Sequence, residues 1–210
     1  GYSKIGSYTG NGSTTGPTVT TGFRPAFLMV KKSSDTGSWL IVDATRNPLG
    51  LTTLRLNADT TGAEDSSADN NVEFTDNGFQ IKTSSGGWNA SGQSFIYMAF
   101  AGGMDSISDY NTTGSIDSRV KANPTYGQSI VSYTGTGANA TVGHGLSSTP
   151  DMIMWKNRTE ALSWCVWHVG LDGGSYSPYA SFLKLDTAAV AEEGSGSIMN
   201  STAPTSSVFT

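Results

Sequence analysis

Two histidines, one cysteine and a scatter of carboxylates are the side chains of this 210-residue sequence from which acid–base, nucleophilic or metal chemistry could be built. Nucleophilic catalysis needs a nucleophile, a base and an orienting group within hydrogen-bond reach. His168 follows Cys165 by three residues in a run that reads as a strand. An odd separation sends the two side chains to opposite faces, which argues against a Cys–His dyad. His144 lies in Val142-Gly143-His144-Gly145-Leu146 at an expected turn; it could touch a partner, but a solvated loop histidine is the plainer reading. Cys165, in Ser163-Trp164-Cys165-Val166-Trp167, suits a small buried hydrophobe.

Glycoside hydrolysis on a β scaffold needs two carboxylates facing each other across a cleft. Glu73 and Asp76, three positions apart on an expected strand, point to opposite faces. The densest acidic group is Glu64, Asp65 and Asp69 with Asn70, whose oxygens could ligate Ca²⁺, although a plain polar loop explains them as well. No EF-hand, zinc spacing, phosphate loop or dinucleotide fingerprint occurs, so neither a cofactor nor a metal is expected, and no catalytic residue. Glycan recognition rests on exposed aromatics beside amides, and the candidates are Trp88-Asn89 and the Tyr176 and Tyr179 of Tyr176-Ser177-Pro178-Tyr179. Trp39 and Trp164, which recur at matched places, read instead as core anchors between two sheets.

The elements that carry these side chains repeat. Ser7-Tyr8-Thr9-Gly10 recurs as Ser132-Tyr133-Thr134-Gly135, and the same offset of 125 positions carries Pro25 onto Pro150, Lys31 onto Lys156 and Ser38-Trp39 onto Ser163-Trp164. Ala26 to Val30 then overlies Asp151 to Trp155 as a strand buried on both faces. Further on, Leu54-Arg55-Leu56 overlies Leu183-Lys184-Leu185 if the second copy carries four extra residues near Gly173-Gly174-Ser175.

In copy one, strands are expected near 3–9, 17–22, 26–32, 38–43, 52–57, 71–76, 79–83 and 94–101, with a hairpin at Asn77-Gly78. So many short strands divided by Gly, Asn, Asp and Pro clusters predict an all-β chain of two antiparallel β-sandwich repeats. The expected organisation is a first sandwich over 1–101, a connector over 102–127 and a second sandwich over 128–210. The second ends before any counterpart of the strands at 71–101. Either a longer polypeptide continues it, the favoured expectation, or a neighbouring chain completes it. Thr187 to Glu193 could form one or two helical turns.

Composition narrows the function classes. Charged residues make up 14% and the formal net charge is −5, so no electrostatic footprint for nucleic acid is present. No apolar run approaches the roughly 20 residues of a membrane-crossing helix, and membrane insertion is not expected. A single cysteine forms no internal disulfide.

The motifs that carry the repeat also carry a resemblance. Ser7 to Gly12, Thr21-Gly22-Phe23-Arg24-Pro25 with Ala26 to Lys31, Ser38-Trp39, Asn77-Gly78-Phe79 and Tyr97-Met98-Ala99-Phe100-Ala101 resemble a repeated domain of tailed-phage virion proteins, known chiefly from marine phages and cyanophages. In copy two, Ser132 to Gly135, Val142 to Leu146, Pro150, Lys156, Ser163-Trp164 and Ala203 to Phe209 are similar to the neighbouring repeat type. The resemblance implies sandwiches of jelly-roll or lectin-like form and a non-enzymatic component of the virion surface, a fibre, spike or capsid-surface module for assembly and host attachment. Its implied partners are further copies of itself in a symmetric oligomer, other virion proteins and a host-surface glycan. The alternatives are a carbohydrate-binding module and, less favoured, a polysaccharide depolymerase.

Overall fold

The computed structural model describes residues 1–47, 51–102, 109–172, 181–193 and 199–210, which fall into two compact units, Gly1–Ser108 and Asp109–Thr210. The first holds β1 (Ser3–Thr9), β2 (Thr18–Thr20), β3 (Pro25–Lys32), β4 (Leu40–Asp43), β5 (Leu51–Thr52), β6 (Leu56–Asn57), β7 (Val72–Thr75), β8 (Gly78–Ile81), the single-turn α1 (Gly86–Asn89) and β9 (Ser94–Ala101). They form two antiparallel sheets, ordered β1-β9-β3-β4-β6 and β2-β8-β7-β5. Between the sheets lies one core, with Leu28 and Val30 of β3, Leu40 and Val42 of β4, and Phe95, Tyr97 and Ala99 of β9 on one side. Val72, Phe74, Phe79 and Ile81 of the β7–β8 hairpin supply the other side, and Tyr8 and Trp88 join them. Buried and outward residues alternate strictly along β9, which turns one face to the core while its backbone pairs antiparallel with β1 on one edge and β3 on the other.

All eight expected strands are present, with one divided. The run expected over 52–57 becomes β5 in one sheet and β6 in the other, because the intervening Arg55 bridges antiparallel to Asp65. β3 is less enclosed than expected: Leu28 and Val30 are fully buried, but Phe27 and Met29 on its other face are half-buried. The hairpin is present, but its register pairs Thr75 with Gly78, so Asp76 and Asn77 make the turn and Gly78 opens β8. Glycine is required there for another reason, since a Cβ at Gly78 would collide with the Val19 carbonyl of β2.

The second unit holds β10 (Asp109–Asn111), β11 (Ser118–Asn123), β12 (Gln128–Tyr133), β13 (Val142–Gly143), β14 (Met152–Trp155), β15 (Cys165–His168), β16 (Ser181–Lys184), β17 (Glu192–Glu193) and β18 (Val208–Phe209). They form the sheets β10-β11-β12, β13-β18 and β14-β15-β16-β17. Two expectations are corrected here. The expected connector contains two strands of the second unit, β10 and β11, with β11 pairing to β12 from Ser118↔Tyr133 to Asn123↔Gln128. Residues 187–193 form no helix; Glu192–Glu193 add a short strand to β16. Thr187 to Val190 are exposed, so the run of alanines finds no apolar surface on which a helical face could be buried.

The repeat is visible in hydrogen bonding as well as in sequence. Val30 faces Leu40 across β3–β4, and Trp155 faces Cys165 across β14–β15, each 125 positions on. The Trp39 N–H donates to Asp59 Oδ1 at 3.1 Å, and the Trp164 N–H to Asp186 Oδ1 at 2.9 Å. The carbonyls of both tryptophans accept from the residue just before that aspartate, Ala58 and Leu185. These pairings, with Leu56 opposite Ile41 and Leu183 opposite Val166, make the second copy two residues longer between these points, not four. They also explain the recurring tryptophans without a shared core role. Trp164 is buried, whereas Trp39 is 37% exposed and is no anchor between sheets.

Candidate functional site

The first candidate, Trp88-Asn89, lies on α1 and is inside the protein. Both side chains are completely inaccessible, which removes them as glycan contacts. Trp88 Nε1 donates to Asn70 Oδ1 at 3.3 Å, and the Trp88 carbonyl accepts from the Tyr8 hydroxyl at 2.7 Å. Asn89 Nδ2 is shared among Asn11 Oδ1, Ser13 O and Thr83 O, while its Oδ1 accepts from the Asn11 N–H at 2.7 Å. The pair therefore ties the β1–β2 loop to the segment after β8, meeting the rule that buried amides are hydrogen-bonded. A tryptophan without a counterpart in the other copy suggested exposure; the bonds that join buried Asn70 and Asn89 to distant loops are not legible from spacing. Tyr176 and Tyr179 lie outside the described residues.

The histidines serve the fold too. His144 is buried, contrary to a solvated loop, and its Nδ1 accepts from the Leu146 N–H at 3.1 Å. Nε2 must then carry the proton, which it donates to the Thr205 carbonyl at 3.1 Å. Burial holds its pKa below the ordinary value, partly countered by that carbonyl. His168 is exposed on β15 and its Nδ1 accepts from the Gly170 N–H.

Two members of the acidic cluster, Glu64 and Asp65, pair with arginines. Arg46 Nη1 lies 2.8 Å from Glu64 Oε2 and its Nε 2.5 Å from Asp43 Oδ2, with all three side chains nearly buried. Arg55 pairs with Asp65 at 2.6 Å. Asp43 Oδ1 also accepts the backbone N–H groups of Thr45 and Arg46, so the triad fixes the turn after β4. Among the described residues no group of three or more His, Cys, Asp or Glu is arranged to hold a metal ion. Glu73 and Asp76 belong to one hairpin and pair with separate cations, Lys82 and Arg24, rather than facing each other across a cleft.

A cavity that spacing did not announce opens in the second unit. It measures about 430 Å³, is open to solvent, and is lined by Trp155, Asn157, Leu162, Cys165, Phe182 and the Lys184–Glu192 ion pair with neighbouring Ser163. Burial pushes the Cys165 thiol pKa up, so the sulfur is held as the protonated, weakly nucleophilic form. The Glu192 carboxylate, 2.6 Å away, raises the Lys184 pKa and keeps the amine charged. The lining can bind an apolar group; neither titratable side chain is tuned for proton or acyl transfer at neutral pH.

A family described as a domain of unknown function (DUF7483) matches residues 1–103 and again 105–210. The chain belongs to that family, in two copies. The border between the DUF7483 copies lies within a few residues of the division between the two compact units, and it assigns β10 and β11 to the second copy. No curated protein and no solved structure matches the chain. Among the described residues no helix is long and apolar enough to cross a membrane.

Proposed function

We propose that this DUF7483 chain is a non-enzymatic structural module of a virion surface, part of a fibre, spike or capsid-surface protein that assembles into a symmetric oligomer and presents a host-binding face. The observation that carries the reading is duplication of one β unit in which, among the described residues, several chemically capable side chains are spent on the unit's own architecture. His144, Asn89, Asp43, Glu64 and Asp65 each hold a loop or turn in place. The likeness of the repeat motifs to tailed-phage virion repeats supports the location, and low charge with abundant Ser, Thr, Asn and Gly suits an extracellular β surface.

Light scattering on the purified chain tests assembly and a glycan array tests attachment. A symmetric oligomer that releases no reducing ends from polysaccharide is the expected result. A monomer that depolymerises a glycan, with activity lost in Glu73→Gln or Asp76→Asn, contradicts the proposal. A carbohydrate-binding module remains the second reading, now resting on Tyr176 and Tyr179 without Trp88 and Asn89.

A further inference from the structure

The five arginines of the chain divide by unit. Arg24, Arg46 and Arg55 of the first unit each pair with a carboxylate. The two of the second unit contact hydroxyl groups. Arg119 Nη2 donates to the Tyr110 hydroxyl at 3.4 Å, and Arg158 Nη1 donates to Ser132 Oγ at 2.8 Å.

Strand register places these residues on one row. Tyr110 of β10 faces Arg119 of β11, and Arg119 faces Ser132 of β12. Residues directly opposite share a face of the sheet. Ser118 and Val120, on either side of Arg119, are buried, so the row lies on the outward face. Arg158 reaches the row from the turn after β14. Asn157 fixes that turn, its Oδ1 accepting the Thr159 and Glu160 N–H groups. The Glu160 carboxylate, in the same turn, accepts from Asn157 Nδ2 at 3.2 Å. The arrangement is particular to the second copy: by the offset of 125, Ser132 matches Ser7, whose neighbour on β9 is Ile96, and Arg158 matches Ser33.

The Arg119 guanidinium lies 4.9 Å from the centre of the Tyr110 ring, yet Tyr110 is 68% exposed. The ring steadies the cation and leaves its N–H groups free to donate outward. A guanidinium presents those donors in a planar fork that matches both oxygens of a carboxylate. Two such forks on one outward face, beside an exposed ring and the hydroxyls of Tyr110 and Ser132, complement an acidic sugar, which offers a carboxylate, ring hydroxyls and an apolar C–H face. The net charge of −5 repels a polyanion on average, so the attraction must come from this local pair of cations.

We propose that the outward face of β10-β11-β12 binds an acidic polysaccharide, with Arg119 and Arg158 holding uronate carboxylates and Tyr110 packing on a sugar ring. This names the ligand class of the host-binding face and in that respect rests on the function proposed above.

The experiment titrates the purified 210-residue chain by calorimetry with polygalacturonate. Dextran serves as the neutral polymer, dextran sulfate as the sulfated one and single-stranded DNA as the phosphate one. The expected result is binding to polygalacturonate but not to dextran, weakened by about tenfold or more in Arg119→Gln and in Arg158→Gln. Arg119→Lys, which keeps the charge but not the fork, should recover only part of the loss, and Tyr110→Ser should weaken binding with both arginines in place. Arg24→Gln, which removes an exposed charge from the first unit, should change nothing. Urea midpoints check that each variant is folded; where Arg158→Gln is not, Arg119→Gln and Tyr110→Ser decide. A chain that does not bind polygalacturonate, variants that bind it as the parent does, or an equal loss in Arg24→Gln overturns the site. Tighter binding of dextran sulfate or of DNA overturns the uronate assignment. None of these results moves the location of the chain in a particle, so the site and the virion reading fail separately.

Discussion

Replacing Trp88 separates a core role from a ligand-contact role. Its indole is completely buried, and it joins the first core with Leu28, Phe79 and Phe95. Trp88→Ala deletes that whole group from a site walled by two sheets that cannot close together, so the lost transfer energy and the cavity together cost about 3–5 kcal/mol. Trp88→Phe keeps most of the apolar volume but leaves Asn70 Oδ1, itself buried, without its 3.3 Å donor. That bond is long, which places the cost near the lower end of the range for an orphaned acceptor, about 1–2 kcal/mol. With a urea dependence of about 1–2 kcal/mol per molar for a unit of this size, the alanine variant should lower the midpoint of the first unit by about 1.5–5 M. Circular dichroism during urea titration reads the midpoint, and amide exchange in β3 identifies the unit that opens. A change below about 0.5 kcal/mol, the size typical of a surface substitution, would refute the placement of Trp88 in the core.

The Arg46 triad gives a second expectation: Arg46→Ala leaves the Asp43 and Glu64 carboxylates buried without their cation and should destabilise the first unit by about 3–5 kcal/mol, read from the same urea transition. His144 gives a pH expectation. Its folded pKa lies below its unfolded value, so the unfolded chain binds the extra proton first; stability of the second unit is complete above the unfolded pKa of about 6.5 and is lost as pH falls through the folded value. The urea midpoint of that unit should therefore fall between pH 7.5 and 5, and a His144→Gln variant should show less of this dependence. The matched aspartates give the last: Asp59→Ala should cost the first unit, and Asp186→Ala the second, about 1 kcal/mol each through the lost tryptophan N–H bond.

The strands were legible because alternation and turn residues act locally. β1, β3 and β9 lie within a residue of the expected bounds. Pairing partners were less so: β9 is the last strand of its unit yet sits between the first and the third, a long-range choice that period alone does not encode. Side-chain roles were the hardest to read. Asn89, Asn70 and His144 look like surface loop residues by type, and only the meeting of distant loops makes them buried hydrogen-bond hubs. Trp39 shows the converse, since what the repeat preserves there is backbone hydrogen bonding rather than burial of the ring. The cavity was hidden for a further reason: Trp155 and Cys165 sit at positions that are core in the first copy but are only half-buried in the second.

The central claim, a structural module of a virion surface, is tested most directly by locating the chain in the particle. Particles from the source culture, purified by density gradient and labelled with an antibody to these 210 residues for electron microscopy, should carry label at symmetric positions on an appendage or the capsid exterior. Chain found only in the particle-free fraction, with unlabelled particles, would contradict the account.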